Sequence, residues 1–132
     1  MSSILDNLPH TCLIFRVTPQ PDGLGGTLYR VVVEQSNVSC WEQQASASEI
    51  ADYEKRGIKI DTKIFFVDNP LVTERHRILI TSRFGIPTPN LDPTDVANPY
   101  SFDVKSEPYP DASAGTGVLW RVMCGRKTGA TQ

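Results

Sequence analysis

The chain reads as a mostly-β protein, a small β-barrel or sandwich of about seven strands with one short surface helix and long loops. Three observations point there. Short runs of β-branched and aromatic residues recur along the chain, breaks rich in proline, glycine, asparagine and aspartate separate them, and only one segment carries both helix-start and helix-stop signals. With 132 residues, of which 39% are hydrophobic and 21% charged, residues 1–132 fit a single domain with a core of its own. Residues 1–11 and 126–132 are expected to be flexible tails.

Leu13-Ile14-Phe15-Arg16-Val17 is β-prone and is expected to stop at residues 18–23, where Pro19, Pro21 and Gly23 punctuate the chain. The glycine-rich Gly23-Leu24-Gly25-Gly26 precedes a strand, whereas a phosphate cradle would precede a helix, so it reads as a flexible hairpin or loop. Residues 27–34 and 38–43, separated by Ser36 and Asn37, are expected to pair as a hairpin. Ser46 and Glu49 have capping-box spacing and Gly57 offers a left-handed stop, which places a short helix between them. Ile50, Tyr53 and Glu54 share one face of that helix, a stripe thin enough to rest on the outside of a sheet.

Residues 58–67 then alternate with a period of two, which places Ile58, Ile60, Thr62, Ile64 and Phe66 on one face. The next strand, residues 76–82, is expected to form a hairpin with it across a long connection that carries Glu74, Arg75, His76 and Arg77. Residues 83–99 hold Pro87, Pro89, Pro93 and Pro99 and form a long proline-rich loop, the first candidate for a contact arm. Residues 100–106 alternate again. A turn-rich stretch, 108–117, leads into the last strand, 118–124.

Composition excludes several function classes. Thirteen basic against fifteen acidic residues leave a net charge of −2, which argues against a protein whose affinity comes mainly from neutralising phosphates. Cys12, Cys40 and Cys124 lie far apart and have neither paired-cysteine spacing nor nearby histidines, so they read as small buried hydrophobes in a reducing compartment rather than as a zinc site or disulfide framework. No stretch resembles a secretory signal or a membrane span. His10 and His76 are separated by several elements and lack metal-ligand spacing. His76, between Arg75 and Arg77, is expected at an exposed loop or strand end. No nucleophile elbow, phosphate loop or calcium loop occurs, so no catalytic residue, metal or cofactor is expected and the protein does not read as an enzyme. Trp41 and Trp120 sit inside strand-like runs and are expected in the core.

Arg75, Arg77 and Arg83 with Phe84 are the candidate contact residues, joined by Asn90 and Asp92 of the long loop. Cations beside a ring suit either a protein interface or stacked single-stranded nucleic acid. A dispersed enzyme or ligand site ranks behind both.

Residues 39–58, with Trp41, the short helix and Gly57, followed by Lys63-Ile64-Phe65-Phe66, Arg77-Ile78-Leu79-Ile80, Phe102-Asp103-Val104 and Leu119-Trp120-Arg121-Val122, resemble the head-tail connector proteins of tailed bacteriophages, of the head-closure or stopper type. The resemblance covers residues 38–122 and is one of pattern. It implies a structural virion protein of the neck, without cofactor, whose copies form a homo-oligomeric ring. That ring would sit between an adaptor or portal-side protein and a tail-end protein, in possible contact with packaged DNA, assembling in host cytoplasm and away from membranes. The alternative is a small β-barrel that binds single-stranded nucleic acid.

Overall fold

The computed structural model describes residues 8–93, 95, 97–111 and 119–126. Among them are eight strands and one helix: β1 His10–Pro21, β2 Thr27–Gln44, α1 Ala47–Glu54, β3 Thr62–Phe66, β4 His76–Arg83, β5 Ile86–Pro87, β6 Ser101–Val104, β7 Tyr109–Asp111 and β8 Leu119–Arg126. The protein is mostly β, as its pattern predicts. Antiparallel pairings run β1-β2-β3-β8-β6-β4, and β4 pairs back onto β1, so six strands close into a ring while β5 and β7 extend β4 and β8.

Closure lets alternate residues of each strand fill one interior. Ile14, Ile64, Phe66, Ile78, Ile80, Phe102, Val104 and Val122 make the inner core, together with Cys12, Cys40 and Cys124. All three cysteines are free and buried, as expected of small hydrophobes. Trp120 is only half-buried against this cluster, and Trp41 is half-buried on the outer surface with its ring 5.8 Å from Phe65, so neither tryptophan is the core residue expected.

Helix α1 lies outside the ring, as its thin stripe predicts. Ile50, Tyr53 and Ile58 cover Ala45, Ile60 and Met123, a second and smaller core. Ser46 Oγ accepts from Glu49 N and Glu49 Oε1 accepts from Ser46 N, a complete capping box. Gly57 at φ 76° ends the helix, with Ile58 N donating to Tyr53 O and Gly57 N to Glu54 O. Those two bonds and the packing of Ile58 with Tyr53 form a Schellman stop, which requires the left-handed residue that glycine supplies.

Several sequence expectations change. Residues 27–34 and 38–43 are one continuous strand, β2, and Ser36 with Asn37 form a bulge in it: Cys12 opposes Val38 and Ile14 opposes Gln35, which leaves an extra β2 residue, and Asn37 takes φ 53°. Asparagine tolerates the left-handed region that a bulge needs, so the same residues serve a bulge as readily as a turn. β1 runs through Pro19 to Pro21 instead of stopping at Val17. β3 and β4 do not pair; β3 lies between β2 and β8 because ring closure brings distant strands together. β3 is also shorter than the alternation suggested, beginning at Thr62, and Phe65 on its other face is buried. Of the expected tails, residues 8–11 and 126 are ordered, with Leu8 buried and His10 in β1, while 1–7 and 127–132 lie outside the described residues. The turn-rich stretch 108–117 contributes β7, and residues 112–118 lie outside the description.

Candidate functional site

The long hairpin departs most from the sequence reading. β4 pairs β1 only from His10 to Arg16, and β3 pairs β2 only from Cys40 to Gln44. Beyond those registers β1 and β2 hold only each other, so residues 17–33 project as a two-stranded arm about 17 Å long at ~3.3 Å per residue. Its tip is built by Asp22, whose Oδ1 accepts from Leu24 N at 2.7 Å and Gly26 N at 2.9 Å, with Gly23 and Gly25 at φ 81° and 88°. These bonds hold the Asp22 carboxyl below its usual range. Asp22 and the two glycines are legible in sequence as a turn; the length of the arm is not, because prolines ordinarily interrupt strands.

The arm is two-faced. Register places Phe15, Val17 and Pro19 beside Val33, Val31 and Tyr29 on one face, and Arg16, Thr18 and Gln20 beside Val32, Arg30 and Leu28 on the other. Leu24 is 91% and Tyr29 70% exposed, and Leu28 and Val33 are also exposed. Its edges differ as well. Asp22 N donates to Gly26 O, so the even residues of β1 point their amides at β2, and Pro19 and Pro21 place their missing N–H groups on the outer edge of β1. That edge is closed to strand addition. The outer edge of β2 from Thr27 to Val33 holds no proline, and the backbone groups of Thr27, Tyr29 and Val31 face its open side.

At the root of the arm lies a cleft of about 640 Å³, lined by β1 residues 16–19, the turn after α1, the start of β4 and the end of β6. Arg75 and Arg77, two of the sequence candidates, both line it, and the fold adds Arg16, Lys59 and Lys105 from three distant segments. Arg77 Nε pairs with Asp103 at 3.2 Å, and Arg16 pairs with Glu34. Glu34 also binds His76 Nε2 at 2.7 Å. The His76 hydrogen bond, and then Arg16, hold the Glu34 carboxyl below its usual range. His76 is therefore a buried partner and not the exposed residue expected: its Nδ1 accepts from Thr73 N at 3.0 Å, which assigns the proton to Nε2. Glu34 reaches it across β1 because the bulges in β2 re-aim that side chain.

Arg83 and Phe84 lie at the opposite end of β4, about 20 Å from Arg77 at ~3.3 Å per residue. Arg83 is engaged in a fork with Glu42, Nε and Nη2 each 2.9 Å from a carboxylate oxygen, and stacks 5.1 Å over Tyr100. Phe84 is exposed at φ 52°, its ring edge-on to His10 at 4.9 Å. The grouping of three arginines with one ring that motivated a stacking site is thus split between two ends. His10 is buried, with Nδ1 accepting from Glu42 N at 2.9 Å; burial depresses its pKa, aided by Arg83 and opposed by Glu42.

The loop 83–99 folds back on the body where its described residues can be followed. Ile86 and Pro87 pair with β4, and Thr88 Oγ1 donates to Ile80 O at 2.8 Å. Asn98 is fully buried; its Nδ2 donates to Asn90 O and Asp92 O at 3.1 and 3.0 Å, and its Oδ1 accepts from Tyr100 N at 2.9 Å. Asn90 itself accepts from Asp92 N and donates to Asp95. Asn90 and Asp92 are therefore parts of a side-chain-braced loop, and the projecting element is the 17–33 arm instead. Asn98 carries no sequence signal beyond being an Asn-Pro in a loop.

Among the described residues no three His, Cys, Asp or Glu side chains gather in a way that could hold a metal ion, and no helix is long and apolar enough to cross a membrane. The chain matches no protein-family model and no curated protein.

Proposed function

We propose that the protein is an assembly module that works by binding copies of itself and neighbouring proteins, and that the assembly is the ring closing a tailed-phage neck. One observation carries the assembly reading: a closed sheet presents a two-stranded arm with exposed apolar side chains, Leu24, Leu28, Tyr29 and Val33, and one open edge. An isolated two-stranded ribbon is marginal in water, and exposed apolar side chains gain most when another surface covers them. The resemblance of residues 38–122 to head-closure connectors supplies the identity of the assembly. In that setting the arm, in place of the 83–99 loop, reaches the neighbouring subunit.

The test is light scattering of the purified chain over a range of concentrations, followed by electron microscopy of any large species. The expected result is concentration-dependent association into closed rings that Tyr29→Asp with Val33→Asp abolishes, with the circular dichroism spectrum unchanged. A chain that stays monomeric at every concentration, or that associates equally well with both substitutions, would overturn the reading.

A further inference from the structure

We infer that the basic cleft at the root of the arm is a docking site for an acidic peptide segment of a partner protein. The choice of a protein partner rests on the assembly reading above; the anion site rests on the cleft itself. Five cations, Arg16, Lys59, Arg75, Arg77 and Lys105, line it against two acids, Glu74 and Asp103, in a chain whose net charge is −2. The cleft therefore carries a local excess of positive charge on a net acidic chain. Arg16 and Arg77 are held by Glu34 and Asp103, while Lys59, Arg75 and Lys105 have no ion-pair partner among the described residues. Unpaired cations that share a concave wall raise the local potential and draw in anions.

Shape and lining select the class of anion. A cleft of about 640 Å³ falls in the ~300–1,000 Å³ range of ligand-binding clefts. That volume admits a short extended segment. No aromatic residue lines it, so stacked bases of a single strand find no platform. Nor is the site a strand acceptor, because Pro19 leaves the outer edge of β1 without the amide that an added strand needs. What remains is recognition by side-chain charge, for which the guanidinium fork of Arg75 and the ammonium groups of Lys59 and Lys105 suit carboxylates.

The test is fluorescence anisotropy of the full chain at low salt with labelled hexaglutamate, hexaglutamine, and single-stranded and duplex oligonucleotides. Hexaglutamate is expected to bind saturably and hexaglutamine not at all. Arg75→Glu with Lys105→Glu should weaken the hexaglutamate complex at least tenfold while light scattering shows the arm-driven association unchanged. No binding of hexaglutamate, binding indifferent to the double charge reversal, or tighter binding of either oligonucleotide would overturn the inference. Loss of association in the Tyr29 and Val33 variant leaves this binding intact, so the two readings fail separately.

Discussion

Replacing Asn98 with alanine removes three hydrogen bonds from a fully buried side chain and leaves Tyr100 N, Asn90 O and Asp92 O without that partner. The Tyr100 amide carries most of the cost, since an unsatisfied buried donor costs about 1–3 kcal/mol, and the two loop carbonyls recover part of theirs from water, for a total of about 2–4 kcal/mol. With 132 residues and about 2.1 cal/mol/K of unfolding entropy per residue, the melting temperature should fall by about 7–14 °C. Asn90→Ala is the control. Its side chain is half-exposed and bonds only within the loop, so its loss should cost about 1 kcal/mol or less. The assay is thermal and urea unfolding of the two variants beside the parent. An Asn98→Ala variant within about 1 kcal/mol of the parent, or an equal loss in Asn90→Ala, would refute the account in which Asn98 ties residues 90–92 to the chain just before β6.

Lowering the pH should destabilise the fold in two stages. His10 has a folded pKa below 6.5, so the unfolded chain takes up its proton first and stability falls as pH drops from about 6.5 through the folded value, measurable as a falling urea midpoint between pH 7 and 5 that His10→Gln flattens. Glu34 and Glu49, both depressed, add a second loss as pH falls from about 4.5. Burial raises the Glu49 carboxyl, but the Ser46 amide and Lys63 outweigh it, and Glu49 also approaches Arg121 at 3.7 Å. Glu49→Ala should therefore cost about 1–2 kcal/mol in urea unfolding, and Glu49→Gln, which keeps the capping bond, less. At Gly125 an added Cβ would lie 2.8 Å from Lys59 O, a backbone atom that cannot swing aside, so Gly125→Ala should lower stability by about 1–3 kcal/mol in the same assay.

The capping box and Gly57, the alternation around Ile64 and Phe66, and the fate of the three cysteines were legible because each follows from neighbours within a few residues: a cap, a stop, a period, an apolar context. Local charge marks Arg75 and Arg77 in the sequence, and the fold places both on one cleft. Arg16, Lys59 and Lys105 were missed, since nothing local to them marks a site and only ring closure gathers their segments.

The sequence by itself determined a mostly-β chain, the position of its helix, the burial of the three cysteines and the inward face of the strand around Ile64 and Phe66, because hydrophobic period and capping chemistry act over one or two turns of chain. The tertiary structure alone decided which strands are neighbours, that Ser36 and Asn37 bulge instead of turning, that His76 is buried on Glu34, and that the hairpin and not the proline-rich loop projects. Proline and asparagine state only what a backbone position permits. Whether the permitted choice is a turn, a bulge or a blocked edge depends on what pairs alongside, and that partner lies outside the local stretch of sequence.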